Sequence, residues 1–129
     1  MWRGSPHLSR EQKIPDASHP ITVEPAGKHV RVLVGDRVIG ESDNALTLQE
    51  ASYPPVLYVP VDDLDRSLLS TTDTSTYCPF KGEASYYAIT TDDVTVDDAG
   101  WYYAEPYDAV AAIANHVAFY PDRASVVVD

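Results

Sequence analysis

Five consecutive residues, Cys-Pro-Phe-Lys-Gly at positions 78–82, place a thiol and an amine three positions apart. Proline restricts its own backbone and glycine admits positive φ, so this spacing predicts a rigid turn that presents Lys81. An ammonium group on such a turn can bind an anionic group, and a desolvated lysine with a lowered pKa can act as a base or nucleophile. The alternative is a solvated lysine that pairs with a nearby acid such as Glu83.

Cys78 and Glu50 are the other two candidates for a catalytic role. The Cys78 thiol is nucleophilic as a thiolate, and Lys81 is the neighbouring cation that would favour the thiolate. The alternative is a small buried core residue, which free cysteine usually is. Glu50 and Glu105 are the two acids that we rank first as a general base. A cysteine–histidine mechanism would need His116 or His29 beside the thiol, and we interpret His116 as structural.

Aromatic residues are the second feature that could form a site, because the 129 residues include nine tyrosines. Ligand pockets are mostly apolar and carry a few fixed polar groups, which tyrosine rings and hydroxyls can supply. We therefore predict a ligand-binding cleft. The rings that could line it are those of Tyr53, Tyr58, Tyr77, Tyr86, Tyr87, Trp101, Tyr103 and Tyr120. Of these, we assign ligand binding to Tyr53, Tyr58, Tyr86, Trp101 and Tyr103. The alternative for each residue is a place in the core or at its rim, with the hydroxyl reaching water.

Arg31 is the last candidate for ligand binding. It alternates with Val30 and Val32, so it projects from the opposite face of the predicted strand. A guanidinium group can bind a carboxylate or phosphate bidentately. The alternative is a structural ion pair with Glu50. A basic cluster that includes Arg31 and Lys81 would select a small anionic ligand in an otherwise acidic protein.

The chain is strongly acidic, with 20 acidic and 9 basic residues and a net charge of −11. Thirteen of the acids and only three of the bases follow residue 60. This acidity argues against a nucleic-acid partner, because binding to phosphates needs clustered Lys and Arg, and it disfavours an anionic membrane surface. The grouped aspartates Asp62, Asp63 and Asp65 do not match the spacing of a calcium loop. We therefore predict no metal site and no cofactor.

The sequence also carries signals of compartment. No apolar run is long enough for a transmembrane helix, and the N-terminal residues lack the apolar core of a signal peptide. The single cysteine cannot form an intrachain disulfide. These features predict a cytoplasmic protein. We expect a monomer or a homodimer that takes a small-molecule ligand and has no nucleic-acid or membrane partner.

Short strands must position these side chains, because apolar and polar residues alternate along much of the chain. The predicted strands lie at residues 30–34, 37–41, 45–50, 56–59, 84–90, 94–96, 101–103, 117–120 and 125–128. Helical turns are predicted at residues 62–69, a helix at 109–116 and a Thr/Ser-rich loop at 71–76. This pattern predicts a mainly β fold, a compact antiparallel domain that is tent- or barrel-like and has one or two short helices.

Residues 1–20 are predicted to form a partly flexible N-terminal arm, because they are polar and contain three prolines. We assign no role to His19, which lies in this arm. Residues 21–129 are predicted to form a single domain, since a chain of this length rarely holds more than one.

Several motifs occur in a characteristic order between residues 21 and 128. They are the Tyr53-Pro54-Pro55 segment, the turn at 78–82, Ala84-Ser85-Tyr86-Tyr87, Trp101-x-Tyr103-x-x-Pro106 and residues 116–120. This combination resembles the domain-of-unknown-function family 427, DUF427. The resemblance implies a compact β domain similar to tent-like folds and a pocket shared within the family. Some naming of the family also attaches a nucleotidyltransferase label.

We expect a pocket for a small anionic molecule, built around the turn at 78–82 and the aromatic residues. One alternative is a non-enzymatic interaction or assembly module that uses the Tyr-Pro-Pro loop or a sheet edge. Another is a nucleotidyltransferase-like enzyme, which only the resemblance implies. The sequence favours a site without deciding whether that site is catalytic.

Overall fold

The structure, a computed structural model, describes residues 10–129. Positions 1–9 of the predicted arm lie outside the described residues. Within residues 10–129, ten strands form two antiparallel sheets that do not close, together with a few short helical turns. The predicted mainly β, antiparallel fold is confirmed.

The chain alternates short strands with tight connections. The strands are β1 Ile21–Pro25, β2 Val30–Val34, β3 Arg37–Ser42, β4 Leu46–Glu50, β5 Val56–Pro60, β6 Leu69–Cys78, β7 Gly82–Thr90, β8 Thr95–Tyr102, β9 His116–Phe119 and β10 Ser125–Val128. Three 3₁₀ helices lie at Val61–Asp63, Arg66–Leu68 and Asp108–Ile113. Among the described residues, no helix has the length and apolar character needed to cross a membrane.

The larger sheet has seven strands in the order β1-β4-β5-β9-β8-β7-β6, and the smaller sheet has three in the order β10-β2-β3. The hairpin predicted around residues 30–41 is confirmed as β2 and β3, with Val34 opposite Arg37. The turn at 78–82 joins β6 to β7, with Cys78 opposite Gly82. The candidate residues of this turn therefore lie at one end of a long hairpin.

The two faces of the seven-stranded sheet carry different side chains, because successive strand residues point to opposite faces. On β5, Val59 belongs to a core cluster that includes Val30 and Val32 of the smaller sheet. Its neighbour Tyr58 belongs to a second cluster with Tyr86. We call the side of the sheet that bears Tyr58 and Tyr86 the aromatic face, and the opposite side packs against the smaller sheet.

The loop predicted at residues 71–76 is wrong, because these residues belong to β6. β6 pairs with β7 on one side and forms an edge of the sheet on the other. Threonine suits extended backbone, and polar side chains protect an exposed edge from pairing with other chains. A Thr/Ser-rich run at an edge therefore resembles a loop in sequence.

The helix predicted at residues 109–116 is also wrong in its extent and type. Residues Asp108–Ile113 form 3₁₀ turns interrupted at Val110, whose φ and ψ are −126° and 26°. Strand β9 already begins at His116. A segment this short gains little from helical hydrogen bonds alone, so its packing decides its conformation.

Gly40 on β3 lies against the segment that follows β5 and forms an isolated bridge with Leu64. A Cβ atom on Gly40 would lie 2.6 Å from the carbonyl oxygen of Asp63. Because this neighbour is backbone, Gly40→Ala is expected to lower the free energy of unfolding by about 1–3 kcal/mol in urea denaturation. Arg37→Ala, on the exposed side of the same strand, is the control and should stay within about 0.5 kcal/mol of wild type. Equal losses in the two variants would contradict the close packing at Gly40.

Candidate functional site

A cleft of about 230 Å³ opens on the aromatic face of the seven-stranded sheet. Seven of the nine predicted site residues line it: Glu50, Tyr53, Tyr58, Lys81, Tyr86, Trp101 and Tyr103. Tyr120, one of the further rings considered for the cleft, also lines it, whereas Tyr77 and Tyr87 do not. The remaining walls, Leu48, Pro54, Val56 and Thr76, were not predicted. A second cleft is larger, at about 400 Å³, but Tyr103 is the one predicted site residue that borders it. We therefore take the smaller cleft as the candidate site.

The turn at 78–82 fixes the backbone of Lys81. The Lys81 amide donates a hydrogen bond to the Cys78 carbonyl oxygen over 3.2 Å. Gly82 has a φ of 114°, a conformation that disfavours residues with a side chain. The Lys81 carbonyl oxygen accepts a hydrogen bond from the Tyr107 amide over 3.0 Å. The lysine side chain therefore starts from a backbone held on both sides.

Lys81 forms a buried ion pair with Glu50. Its Nζ atom donates to Glu50 Oε1 over 2.5 Å, and the Lys81 side chain is only 10% exposed. Glu83, the partner that the sequence analysis considered, instead contacts Arg10 at 3.4 Å. The ion pair joins the end of β4 to the turn between β6 and β7.

The ion pair keeps both of its groups charged. Burial alone would lower the pKa of Lys81, but the hydrogen bond to Glu50 and the neighbouring Cys78 outweigh burial, so the pKa is raised. This is the reverse of the lowered pKa that a lysine nucleophile or base needs. The chemistry that remains open to Lys81 is binding through its positive charge and its N–H groups.

Glu50 has a second partner that the sequence analysis missed. His19 Nε2 lies 2.8 Å from Glu50 Oε2, and the His19 ring stacks on Phe80 with centroids 4.1 Å apart. Burial raises the pKa of Glu50, but the hydrogen bonds from Lys81 and His19 outweigh it and hold the pKa below its usual value. A turn signal, Asp16 accepting from the Ser18 amide, precedes His19 but could not reveal its partner.

Two buried phenols face the cleft with hydrogen-bonding capacity to spare. Tyr58 is 1% exposed, and its hydroxyl accepts a hydrogen bond from Trp101 Nε1 over 3.3 Å. Tyr103 is 5% exposed, and within residues 10–129 no hydrogen bond reaches its hydroxyl. Burial raises the pKa of both phenols, so both keep their protons and can act as donors.

A hydroxyl chain forms another wall of the cleft. The Tyr86 hydroxyl lies 2.9 Å from Thr76 Oγ1 and 3.3 Å from the Tyr120 hydroxyl. The contact with Tyr86, together with burial, raises the pKa of Tyr120 to about 12. Tyr53 stands at the rim and is 59% exposed. These rings supply the flat apolar surface that the sequence analysis expected of the tyrosines.

Cys78 and Arg31 are the two predicted site residues that do not line the cleft. The Cys78 side chain packs against the aromatic cluster, in keeping with the core interpretation. Arg31 lies in the smaller sheet and contacts Asp129, with Nη2 3.1 Å from Oδ1. Arg31 therefore lies outside the cleft, and its alternative pairing with Glu50 is wrong. A strand pattern shows which face Arg31 occupies but not which sheet its strand joins.

Neither His116 nor His29, the two histidines considered for a cysteine–histidine mechanism with Cys78, lines this cleft. His116 Nδ1 lies 2.8 Å from the Ala114 carbonyl oxygen, and His116 borders the larger cleft. His29 lies between the carboxylates of Glu41 and Asp43. Within residues 10–129, no three His, Cys, Asp or Glu side chains are grouped closely enough to hold a metal ion.

The fold and the cleft define a class, a small antiparallel β domain with an aromatic cleft on one sheet face. The family described as a domain of unknown function, DUF427, matches residues 22–129, so the chain belongs to this family. The resemblance predicted from the sequence is confirmed. No curated protein matches the chain.

The Glu50 carboxylate is expected to stabilise the fold in a pH-dependent way. Because its pKa in the folded state is below the ordinary value of 4.5, its contribution is fully present above that value and is lost as the pH falls through the lowered pKa. Near neutral pH, Glu50→Gln should lower the free energy of unfolding by about 2 kcal/mol, the value of a hydrogen bond to a charged group. The difference from wild type should shrink as the pH is lowered below 4.5.

Urea denaturation across this pH range measures the effect. Glu24→Gln removes an exposed carboxylate from β1 and controls for the loss of one negative charge. It should change the stability by less than about 0.5 kcal/mol. A difference between wild type and Glu50→Gln that stays constant with pH would contradict the role of the ionised carboxylate.

Proposed function

We propose that the cleft binds a small molecule that combines a flat apolar body with a carboxylate group. The observation that carries this proposal is the set of unused donors on buried side chains at the cleft. Lys81, Tyr58 and Tyr103 are each at most 8% exposed and all line the cleft. A ligand acceptor reached by these donors would complete their hydrogen bonding.

The donors can be counted from the side-chain chemistry. An ammonium group has three N–H bonds, and Lys81 uses one of them on Glu50. The described part of the chain offers no second acceptor to Lys81 Nζ. A buried polar group without a partner costs about 1–3 kcal/mol, so water or a ligand must occupy this position. A carboxylate is the better match, because it accepts from several donors at once and prefers charged ones.

The remainder of the cleft favours an apolar ligand body. The ring centroids of Trp101 and Tyr120 lie 4.7 Å apart. Val56 and Leu48 contribute aliphatic surface. The volume equals that of roughly eight water molecules at about 30 Å³ each. It is smaller than the roughly 300–1,000 Å³ of sites for drug-sized ligands. The ligand is therefore a small metabolite, of the size of one ring with a short substituent.

The acidity of the protein does not prevent binding of an anion at this position. At physiological ionic strength, exposed charges are screened over about 8 Å, so distant aspartates contribute little to the field in the cleft. The opposite charges of Lys81 and Glu50 offset each other. The hydrogen-bond donors that line the cleft therefore decide its preference for an anion. A carboxylate would share Lys81 with Glu50, so we expect weak to moderate affinity.

This proposal assigns binding rather than covalent roles to the predicted catalytic residues. Lys81 stays protonated and Glu50 stays ionised, which suits recognition of charge and hydrogen bonds. Cys78 is outside the lining of the cleft and takes no role. We do not propose nucleotidyl transfer, because residues 10–129 group no three side chains suited to hold a metal ion.

Benzoate, one flat ring with one carboxylate, is the first probe, and benzamide is its neutral counterpart. Titration followed by ¹H–¹⁵N NMR should shift the Trp101 indole signal with benzoate and less with benzamide. Lys81→Met should weaken benzoate binding at least about tenfold, the effect of losing a hydrogen bond to a charged group. Tyr103→Phe should weaken it by about fivefold, as expected for a neutral donor.

Arg31→Met is the matched control, since it also removes one positive charge but at a position outside the cleft. It should leave the affinity for benzoate unchanged. Equal losses in Arg31→Met and Lys81→Met would reduce the effect to net charge and overturn the proposed site. Preference for benzamide over benzoate would overturn the carboxylate assignment.

A second candidate function, assembly through a sheet edge, is favoured by the open seven-stranded sheet. Its edge strand β6 spans ten residues and, among the strands of residues 10–129, pairs only with β7. Unpaired edges readily accept a strand from another chain. Light scattering at increasing protein concentration should then show a dimer that Thr74→Pro abolishes, because proline on an edge strand hinders pairing with another chain. A monomer at all concentrations would exclude this function.

A further inference from the structure

His19 lies outside the residues that match the family, which begin at position 22. Its side chain nevertheless contacts Glu50, a residue that lines the candidate cleft. His19 Nε2 and Lys81 Nζ bind different oxygens of the same carboxylate, Oε2 at 2.8 Å and Oε1 at 2.5 Å. The two contacts together fix the orientation of the Glu50 carboxylate.

The segment that carries His19 is bound to the rest of the fold on both sides. The Lys13 amide donates to the Pro79 carbonyl oxygen over 2.9 Å, and the Ala51 amide donates to the Pro20 carbonyl oxygen over 2.8 Å. These two hydrogen bonds reach both halves of the ion pair, because Pro79 lies in the turn before Lys81 and Ala51 follows Glu50 directly. The segment at residues 10–20 therefore holds His19 relative to both members of the ion pair.

The His19 ring itself has a defined seat. It stacks on Phe80 with an interplanar angle of 6° and meets the Tyr53 ring edge-on at 6.3 Å between centroids. Asp16 closes the preceding turn, accepting from the Ser18 amide at 2.8 Å. The ring contacts the Glu50 carboxylate, which in turn contacts Lys81. Asp16 accepts a hydrogen bond from the backbone amide of His19. This seat leaves the ring little freedom to leave Glu50.

We propose that His19 is a positioning residue for the ligand site: by occupying Glu50 Oε2, it prevents the carboxylate from turning both oxygens toward Lys81. Two N–H groups of Lys81 then remain directed to other acceptors, including the carboxylate of a ligand. Without His19, Glu50 would lose a donor on Oε2 and compensate by taking more of the Lys81 ammonium. The inference rests on the proposed function for its ligand, but its geometric part does not.

The geometric part is tested without any ligand, by ¹³C NMR titration of the Glu50 carboxyl group. Loss of the His19 hydrogen bond in His19→Ala should raise the pKa of Glu50, since that contact lowers it in the native protein. Added imidazole should enter the space beside Phe80 and reverse the change. His19→Gln, which keeps an N–H donor, should retain most of the wild-type value. The control is His29→Ala, at a histidine that contacts the carboxylates of Glu41 and Asp43. It should leave the pKa of Glu50 unchanged.

The ligand part uses benzoate as the probe. His19→Ala should weaken benzoate binding about tenfold, and His19→Gln or added imidazole should restore it to within about threefold. Rescue by imidazole distinguishes positioning from a general loss of folding, which a small molecule would not reverse. Circular dichroism of each variant verifies that the fold is retained.

The outcomes separate the two claims. If the Glu50 carboxyl titrates identically in wild type and His19→Ala, the positioning role of His19 is overturned whatever benzoate does. If the carboxyl responds as expected but wild type binds no benzoate, the proposed function is overturned and the positioning of Glu50 stands. If benzoate binds equally to wild type and His19→Ala, the link from His19 to the ligand is overturned.

Discussion

The ion pair between Lys81 and Glu50 is the interaction on which the candidate site depends. It connects the end of β4 to the turn between β6 and β7, two parts of the chain that are 31 positions apart. Burying two charges is costly unless they are paired and hydrogen-bonded, so the pair constrains the segments that supply it and their neighbours. The turn must present Lys81 inward, β4 must end at the cleft, and His19 must satisfy the second carboxylate oxygen. The cleft is thus arranged around a buried electrostatic contact.

The pair can be tolerated because the sheet separates two environments. The alternation of side chains along β5 and β9 sends Val59 and Val117 to the face that packs against the smaller sheet. Tyr58 and Ala118 go to the aromatic face. The first face is mainly aliphatic, with Phe119 among its buried residues, and supplies hydrophobic stabilisation. The second face carries most of the tyrosine hydroxyls near the cleft and the ion pair. The alternation of side chains along each strand therefore separates the main core from the residues that line the candidate cleft. Polar groups can lie on the cleft side without disturbing the main core.

Local patterns predicted most of the strands and most of the cleft, but not strands β1 and β6 or the contacts between distant segments. The turn residues at 78–82 and the tyrosines are local signals, and seven of the nine predicted site residues line one cleft. Arg31 was misplaced because alternation along β2 does not reveal that β2 joins the smaller sheet. His19 was missed because its partners, Glu50 and Phe80, are 31 and 61 positions away. Contacts of this kind depend on topology, which periodicity does not encode.

The charges around the cleft also narrow the proposed ligand. Lys81 is the one cation that lines it among residues 10–129, and Glu50 already takes part of its charge. A phosphate dianion would need a second cation, since two negative charges beside Glu50 would repel each other within the low dielectric of the cleft. A monocarboxylate would add one negative charge. Its oxygens would accept hydrogen bonds from Lys81 and from the neutral hydroxyls of Tyr58 and Tyr103. In the proposed site, the phenols would take the part that additional lysines take in a phosphate site. An acidic protein would then bind an anion without a basic surface.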